Sequence, residues 1–183
     1  SLFAERVSSS PRQSKNVRKS RVSSHSSEVD DKFYVHLMNG EVLLREDNGS
    51  LKLQAGRHAH AGADASFFCR EGSKLLLEHG SARFRFLGEN TFSYAGASIA
   101  LRSGALLADW RTPGVLRLEG FDAKLRVSGK CVLFVQATTN GGLKIIGLAG
   151  RAIIETIHSG GRTIELFPGE LVFAKPLEKG FSD

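Results

Sequence analysis

Histidines are the first candidates for chemistry in this sequence. His58 and His60 are separated by one residue, so a β-strand would place both imidazoles on one face, where they could bind a metal ion. No third ligand follows from the spacing, and Asp64 shares their parity only if the strand continues through Gly62. The alternative, two polar residues on an exposed strand edge, is favoured. We therefore predict no metal site and no cofactor.

Nucleophilic catalysis would need a serine or cysteine beside a base and an orienting group. Ser103-Gly104 and Ser128-Gly129 are typical of simple turns, and no Gly-x-Ser-x-Gly motif occurs. Cys69 and Cys131 have neither a Cys-x-x-Cys nor a Cys/His metal spacing. They could form one disulfide in an exported protein or remain two buried thiols, and the sequence leaves both alternatives open. We predict no catalytic residues and a protein that is not an enzyme.

Three further segments are candidates for ligand binding. Asn140-Gly141-Gly142 lacks the following helix and the Lys-Ser/Thr of a phosphate-binding loop, so we interpret it as a hairpin turn. Between Arg83 and Leu87 the residues alternate, which turns both phenylalanines toward a core rather than toward nucleic-acid bases. Trp110 is either a ligand-stacking platform or a cap on the core at a sheet corner, and we favour the cap. Nucleic acid is therefore not an expected partner.

The N-terminal segment is basic and of low complexity. The chain has 183 residues and a net charge of +6. Residues 1–31 are rich in Ser and Arg and lack a hydrophobic period, which is typical of an arm or linker that orders only on a partner. Such charge suits acidic partners. The predicted partner-binding residues of this arm are Arg6, Arg12, Lys15, Arg18, Lys19 and Arg21.

The chain from residue 33 onward has the pattern of an all-β protein. Short apolar runs are separated by turn residues at intervals of about 8 to 12 residues, typical of a sandwich, barrel or solenoid. Asn39-Gly40 predicts a hairpin turn, and Leu75–Glu78 is the best helix candidate but is too short to matter. We expect an arm over residues 1–31, a β domain over 32–177 and a tail over 178–183.

A weak internal repeat refines this prediction. The segments Val35–Leu44, Ile99–Ala108 and Ile145–Ile154 each contain an apolar run, a glycine and a second apolar run. A strand, a glycine corner and a strand form one rung of a stacked β structure. Because the copies are unevenly spaced, we predict a two-layer stacked or coiled β domain rather than a regular solenoid.

The order of several short phrases resembles the FecR-like domains of bacterial extracytoplasmic proteins. These phrases are Leu43–Ser66, Gly80–Thr91 with its Asn-Thr turn, Ile99–Ala108, Phe121–Phe134, Gly147–Ile154 and the closing Leu-Phe-Pro-Gly-Glu-Leu of Leu166–Leu171. The resemblance implies an all-β domain of the periplasm or cell surface that binds other proteins.

Classical members of that family relay a signal from an outer-membrane receptor to a cytoplasmic sigma factor. The anti-sigma segment and membrane helix that they carry are not found in this sequence, where the basic arm stands instead. We therefore predict a non-enzymatic protein-protein interaction domain of a cell-envelope protein. One alternative is a structural subunit of a multi-protein or filamentous assembly, docked through the arm; another is a FecR-type signal-relay protein. Expected partners are copies of the chain or other envelope subunits, with membrane contact through a partner.

Overall fold

The fold consists of β-strands in two sheets. The computed structural model describes residues 33–46, 49–54, 58–61, 64–80, 82–95, 98–110, 115–120, 123–157 and 161–175. These residues form seventeen strands and contain no helix, so none of them belongs to a helix that could cross a membrane. The predicted arm, with its six basic candidates, and the predicted tail lie outside the described residues. The all-β, two-layer prediction is confirmed.

In the described part of the chain, sheet A has eight strands and sheet B has nine. From one edge to the other, sheet A contains β17 (Leu171–Ala174), β14 (Leu143–Gly150), β13 (Cys131–Ala137), β10 (Ala105–Trp110), β7 (Ala82–Leu87), β6 (Lys74–His79), β1 (Phe33–Asn39) and β4 (His58–Ala61). Sheet B contains β16 (Thr163–Leu166), β15 (Ala152–Thr156), β12 (Lys124–Ser128), β11 (Val115–Glu119), β9 (Ser98–Ser103), β8 (Asn90–Ala95), β5 (Asp64–Cys69), β2 (Glu41–Glu46) and β3 (Gly49–Gln54).

The chain usually forms a hairpin in one sheet before it crosses to the other. Strands on either side of such a hairpin then become antiparallel neighbours, as β7 and β10 do around the β8–β9 hairpin. At β10 the chain adds a single strand to sheet A before it returns to sheet B, and the flanking strands β9 and β11 pair in parallel. The coil character that the repeat predicts therefore appears at this one turn among the described strands, within an otherwise antiparallel sandwich.

Glycines with positive φ occupy the corners at which the chain changes sheets. Each crossing that the structure describes in full contains one: Gly40, Gly72, Gly88, Gly104, Gly129, Gly150 and Gly169. At Gly104 the φ of 87° favours glycine, and an added Cβ would overlap Glu89 and Asn90 of the neighbouring corner. The corners are thus packed on each other, and the three glycines of the internal repeat are all corner residues.

The core lies between the sheets and contains a stack of aromatic rings. Phe92 lies between Phe67 and Phe86, with ring centroids 4.7 Å and 3.8 Å away. Phe67 and Phe92 belong to sheet B and Phe86 to sheet A, so the stack links the layers. Tyr94 is 1% exposed, and its hydroxyl lies 2.6 Å from Nδ1 of His79, which satisfies the one polar atom of a buried ring.

Two local expectations are wrong. Asn39-Gly40 is not a hairpin turn, because β1 and β2 lie in different sheets and Gly40 is a corner packed on Ser73. Leu75–Glu78, too short to be predicted as a helix, lies in strand β6, where alternate residues are buried and pair with β1 and β7. The Asn90-Thr91 pair starts strand β8 rather than forming a separate turn. In each case long-range pairing overrides a short local preference.

Candidate interaction surface

The predicted histidine pair lies on the edge strand β4 of sheet A. The register places His58 opposite His36 and His60 opposite Tyr34 of β1. His36 is a third histidine that sequence spacing missed, because cross-strand register is not visible in the sequence. Asp64 belongs to a separate strand, β5. The side chains of His58 and His60 are not described, and among the described residues no group of three metal-ligating side chains is found.

The two cysteines are free and buried in different sheets. Burial raises the pKa of the Cys69 thiol to about 12. Burial, with a smaller effect of the nearby Asp109 carboxylate, raises the pKa of the Cys131 thiol to about 11. A thiol must ionise to act as a nucleophile, so both groups are chemically inert near neutral pH. Of the two alternatives, the structure has buried thiols rather than a disulfide.

Trp110 caps the core, as expected. It is 6% exposed, and its ring lies tilted against Phe84 at 6.4 Å between centroids. A hollow of about 310 Å³ adjoins it and is also lined by Lys130 and Gly150. Because so little of the indole is exposed, the hollow offers no ring face on which a sugar could stack.

The strand with alternating Arg and Phe is also part of the core packing. Phe84 and Phe86 are each 1% exposed, and the Nε of Arg83 lies 3.0 Å from the Glu78 carboxylate. No aromatic ring of this strand is therefore available for base stacking. The predicted hairpin turn at Asn140-Gly141-Gly142 does connect β13 and β14, and its backbone is closed by Thr138.

A wider hollow of about 490 Å³ lies on the outside of sheet B, beside Arg126 and Arg162. The guanidinium of Arg126 lies 3.5 Å from the Glu155 carboxylate. The backbone N–H of Arg162 donates to the Thr156 hydroxyl at 2.8 Å. Because an acidic residue lines this hollow and pairs with one of its arginines, it is a weak site for an anion.

The outer face of sheet A carries a different kind of surface, an apolar row. Cross-strand pairing connects four outward-facing residues on adjacent strands: Leu107, Phe134, Ile146 and Leu171. Each alternates along its strand with residues that pack on the core. Phe173 and Leu148 flank this apolar row and are 55% and 49% exposed. On the next strand, β7, the residue paired with Leu107 is the charged Arg85, so the apolar row ends at Leu107.

The apolar row runs to the edge strand β17. Gly147 N–H donates to Glu170 C=O at 3.0 Å, which makes residues 170, 172 and 174 the ones that face β14. In an antiparallel ladder the alternate residues point their N–H and C=O groups the other way. Leu171 and Phe173 therefore direct their backbone groups to the outer side of β17, where no other strand of the described chain pairs.

Charge distinguishes β17 from two other edge strands. On β3, Lys52 Nζ lies 2.7 Å from Glu41 Oε1, and on β16, Glu165 pairs with Arg151. Charged side chains on an edge strand oppose pairing with another chain. All four residues of β17 are apolar, so this edge lacks that protection.

Comparison with known proteins adds no relative. No family model matches the sequence, and no curated protein or solved structure is significantly similar to it. The FecR resemblance therefore stays a prediction from the order of its phrases. The basic arm residues, Arg6 through Arg21, lie outside the described part of the chain. The apolar edge at β17 is a second candidate contact surface, which the sequence did not indicate.

Proposed function

We propose that this chain is a non-enzymatic protein-protein interaction domain of the bacterial cell envelope. The observation that carries the proposal is the apolar row ending on an uncharged edge strand. Leu171 and Phe173 are 45% and 55% exposed, and their backbone groups lie on the open side of β17. Exposed apolar surface beside an unpaired edge is characteristic of sites that bind another protein by strand addition.

The extracytoplasmic location rests on the FecR-like order of phrases, and the partner class on the apolar edge. A structural subunit of a larger assembly is the second candidate. It is favoured by the strand order, because the same two-layer stack ends in edge strands on both sides, β3 with β4 and β16 with β17. A stack of this kind can be extended by further strands.

Position-specific photo-crosslinking in the native cell tests the first proposal. A photoreactive amino acid replaces Phe173 on β17 in one variant and Lys124, an exposed residue on sheet B, in the matched control. We expect a crosslinked protein from position 173 and none from position 124. Equal crosslinking from both positions would count against this surface, and recovery of the native chain in the cytosol would count against the envelope.

A further inference from the structure

We propose that strand β17 pairs with β17 of a second copy about a two-fold axis, which joins the two A sheets into one. This inference rests on the proposed function, since it names the partner of the same edge. Its starting observation is that the exposed apolar side chains and the outward backbone groups belong to the same two residues, Leu171 and Phe173.

The hydrogen-bonding pattern selects the register. Residues 171 and 173 must form the hydrogen-bonded pairs, because residues 170, 172 and 174 face β14. An axis through Val172 places Leu171 opposite Phe173 of the second copy, and Phe173 opposite its Leu171. Each of these two pairs exchanges both backbone bonds, so every outward N–H and C=O of these residues is satisfied.

The side chains agree with that register on both faces. On the outside, the two Leu-Phe pairs cover the exposed apolar surface and bring the ends of the two apolar rows together, offset by two residues because Phe173 lies beside Lys144 of β14. On the inside, Val172 and Ala174 already pack against the core and would extend it. Ile164, an inward residue of β16 at the same end of the stack, is 37% exposed and would be shielded.

Flanking charges are compatible with the two-fold arrangement. With the axis at Val172, Glu170 lies opposite Ala174 of the second copy and Lys175 lies opposite its Gly169. No like charges face each other, which would otherwise oppose pairing. A head-to-tail contact would instead bring the apolar β17 against β4, whose sequence is His-Ala-His-Ala. Contact between two β17 edges is the arrangement that covers apolar surface with apolar surface.

The register predicts a specific disulfide. Val172 would lie directly opposite Val172 of the second copy in a non-hydrogen-bonded pair. In such a pair the Cα atoms are about 4.5 Å apart, which is within reach of a disulfide. We expect the full-length Val172→Cys variant to form a covalent dimer under mild oxidation. The matched controls, Leu171→Cys and Phe173→Cys, place the thiols away from the axis and should stay uncrosslinked. Preferential crosslinking of either control variant would overturn this register.

Sedimentation of the unmodified full-length chain tests the dimer itself. We expect a reversible dimer, and we expect Phe173→Glu to raise its dissociation constant by roughly tenfold or more, since both Leu-Phe pairs are lost. Lys124→Glu, an exposed change on sheet B, is the control and should leave dimerisation unchanged. A monomer at every concentration would overturn the inference, as would a dimer that appears only after truncation beyond Lys175, which would show that residues 176–183 cover the edge.

These experiments distinguish failure of the β17 dimer from failure of the proposed function. If the chain is monomeric but photo-crosslinking at position 173 captures a different protein in the cell, the docking surface stands and the second copy is the wrong occupant. If position 173 captures nothing and the chain is monomeric, both proposals fall. Capture of a second copy at position 173, together with the Val172→Cys dimer, supports both.

Discussion

Asn90 connects two neighbouring corners of the stack, and its removal should measurably weaken the fold. Its side chain is 1% exposed. Its Nδ2 donates to the carbonyls of Leu87 and Gly88 at 3.0 Å and 3.2 Å, and its Oδ1 accepts from Ala105 N–H at 2.8 Å. An alanine at this position makes none of these three bonds and leaves their backbone partners without the side chain that satisfies them.

The size of the effect follows from these bonds. A hydrogen bond contributes about 1 kcal/mol net, so the loss of three in Asn90→Ala should lower the free energy of unfolding by about 3 kcal/mol. For a domain of about 150 residues or more, 1 kcal/mol corresponds to roughly 2 to 4 °C in Tm. We therefore expect the Tm to fall by roughly 6 to 12 °C.

Chemical and thermal denaturation, followed by circular dichroism, measure this change. Asn39→Ala is the matched control: Asn39 also lies beside a corner and donates to Gly72 C=O at 3.3 Å, but it is exposed. An exposed bond of that kind should contribute less than about 0.5 kcal/mol. A loss for Asn90→Ala no larger than that for Asn39→Ala would refute the claim that the corners are fastened through this side chain.

The remaining predictions concern the buried thiols, the Tyr94–His79 hydrogen bond and the Gly104 corner. Because the pKa values of Cys69 and Cys131 are raised to about 12 and about 11 from 9.0, alkylation at pH 8, followed by mass spectrometry, should be slow until the protein unfolds. Because the folded state disfavours the thiolates, the contribution of the two thiols to stability is complete below pH 9, and the free energy of unfolding should fall as the pH rises from about 9 through 11 to 12. A free energy of unfolding that stays constant over that range would contradict the raised pKa values. Tyr94→Phe removes the hydrogen bond to His79 and should lower the free energy of unfolding in urea by about 1 kcal/mol. Gly104→Ala should lower it by about 2 kcal/mol or more, because φ is positive and the site of the added Cβ is already occupied. Equal effects of the two substitutions would contradict the corner geometry.

Local sequence signals predicted the fold class and three of the corner positions. Gly40, Gly104 and Gly150, the shared glycines of the internal repeat, have φ values of 82°, 87° and 69°, and each marks a change of sheet. The demand for a positive φ acts on one residue, so it is visible in a single sequence. The alternation of Arg83 to Leu87 was equally local and correctly placed the phenylalanines in the core.

The strand order and the candidate interaction surface depend on contacts that no local pattern contains. Asn39-Gly40 predicts a hairpin by its residue types, but the chain bends toward the other sheet because β1 pairs with β4 and β6. His36 lies opposite His58 only because of that strand pairing. In the same way Leu107, Phe134 and Ile146 are separate outward residues in the sequence, and they become a row only when β10, β13 and β14 are aligned.

The way the stack grows explains why its last edge strand is a candidate binding surface. Each hairpin added to a sheet covers the edge left by the strand before it: β13 and β14 cover β10, and β17 in turn covers β14. The next strand of this series would lie beside Leu171 and Phe173, whose side chains and backbone groups are already suited to it. A second copy supplies such a strand in the required antiparallel direction, because a two-fold axis perpendicular to a sheet always pairs an edge strand antiparallel with itself. The exposed residues of β17 are therefore those that an added strand would bury, and this is why their substitution should affect association while leaving the fold intact.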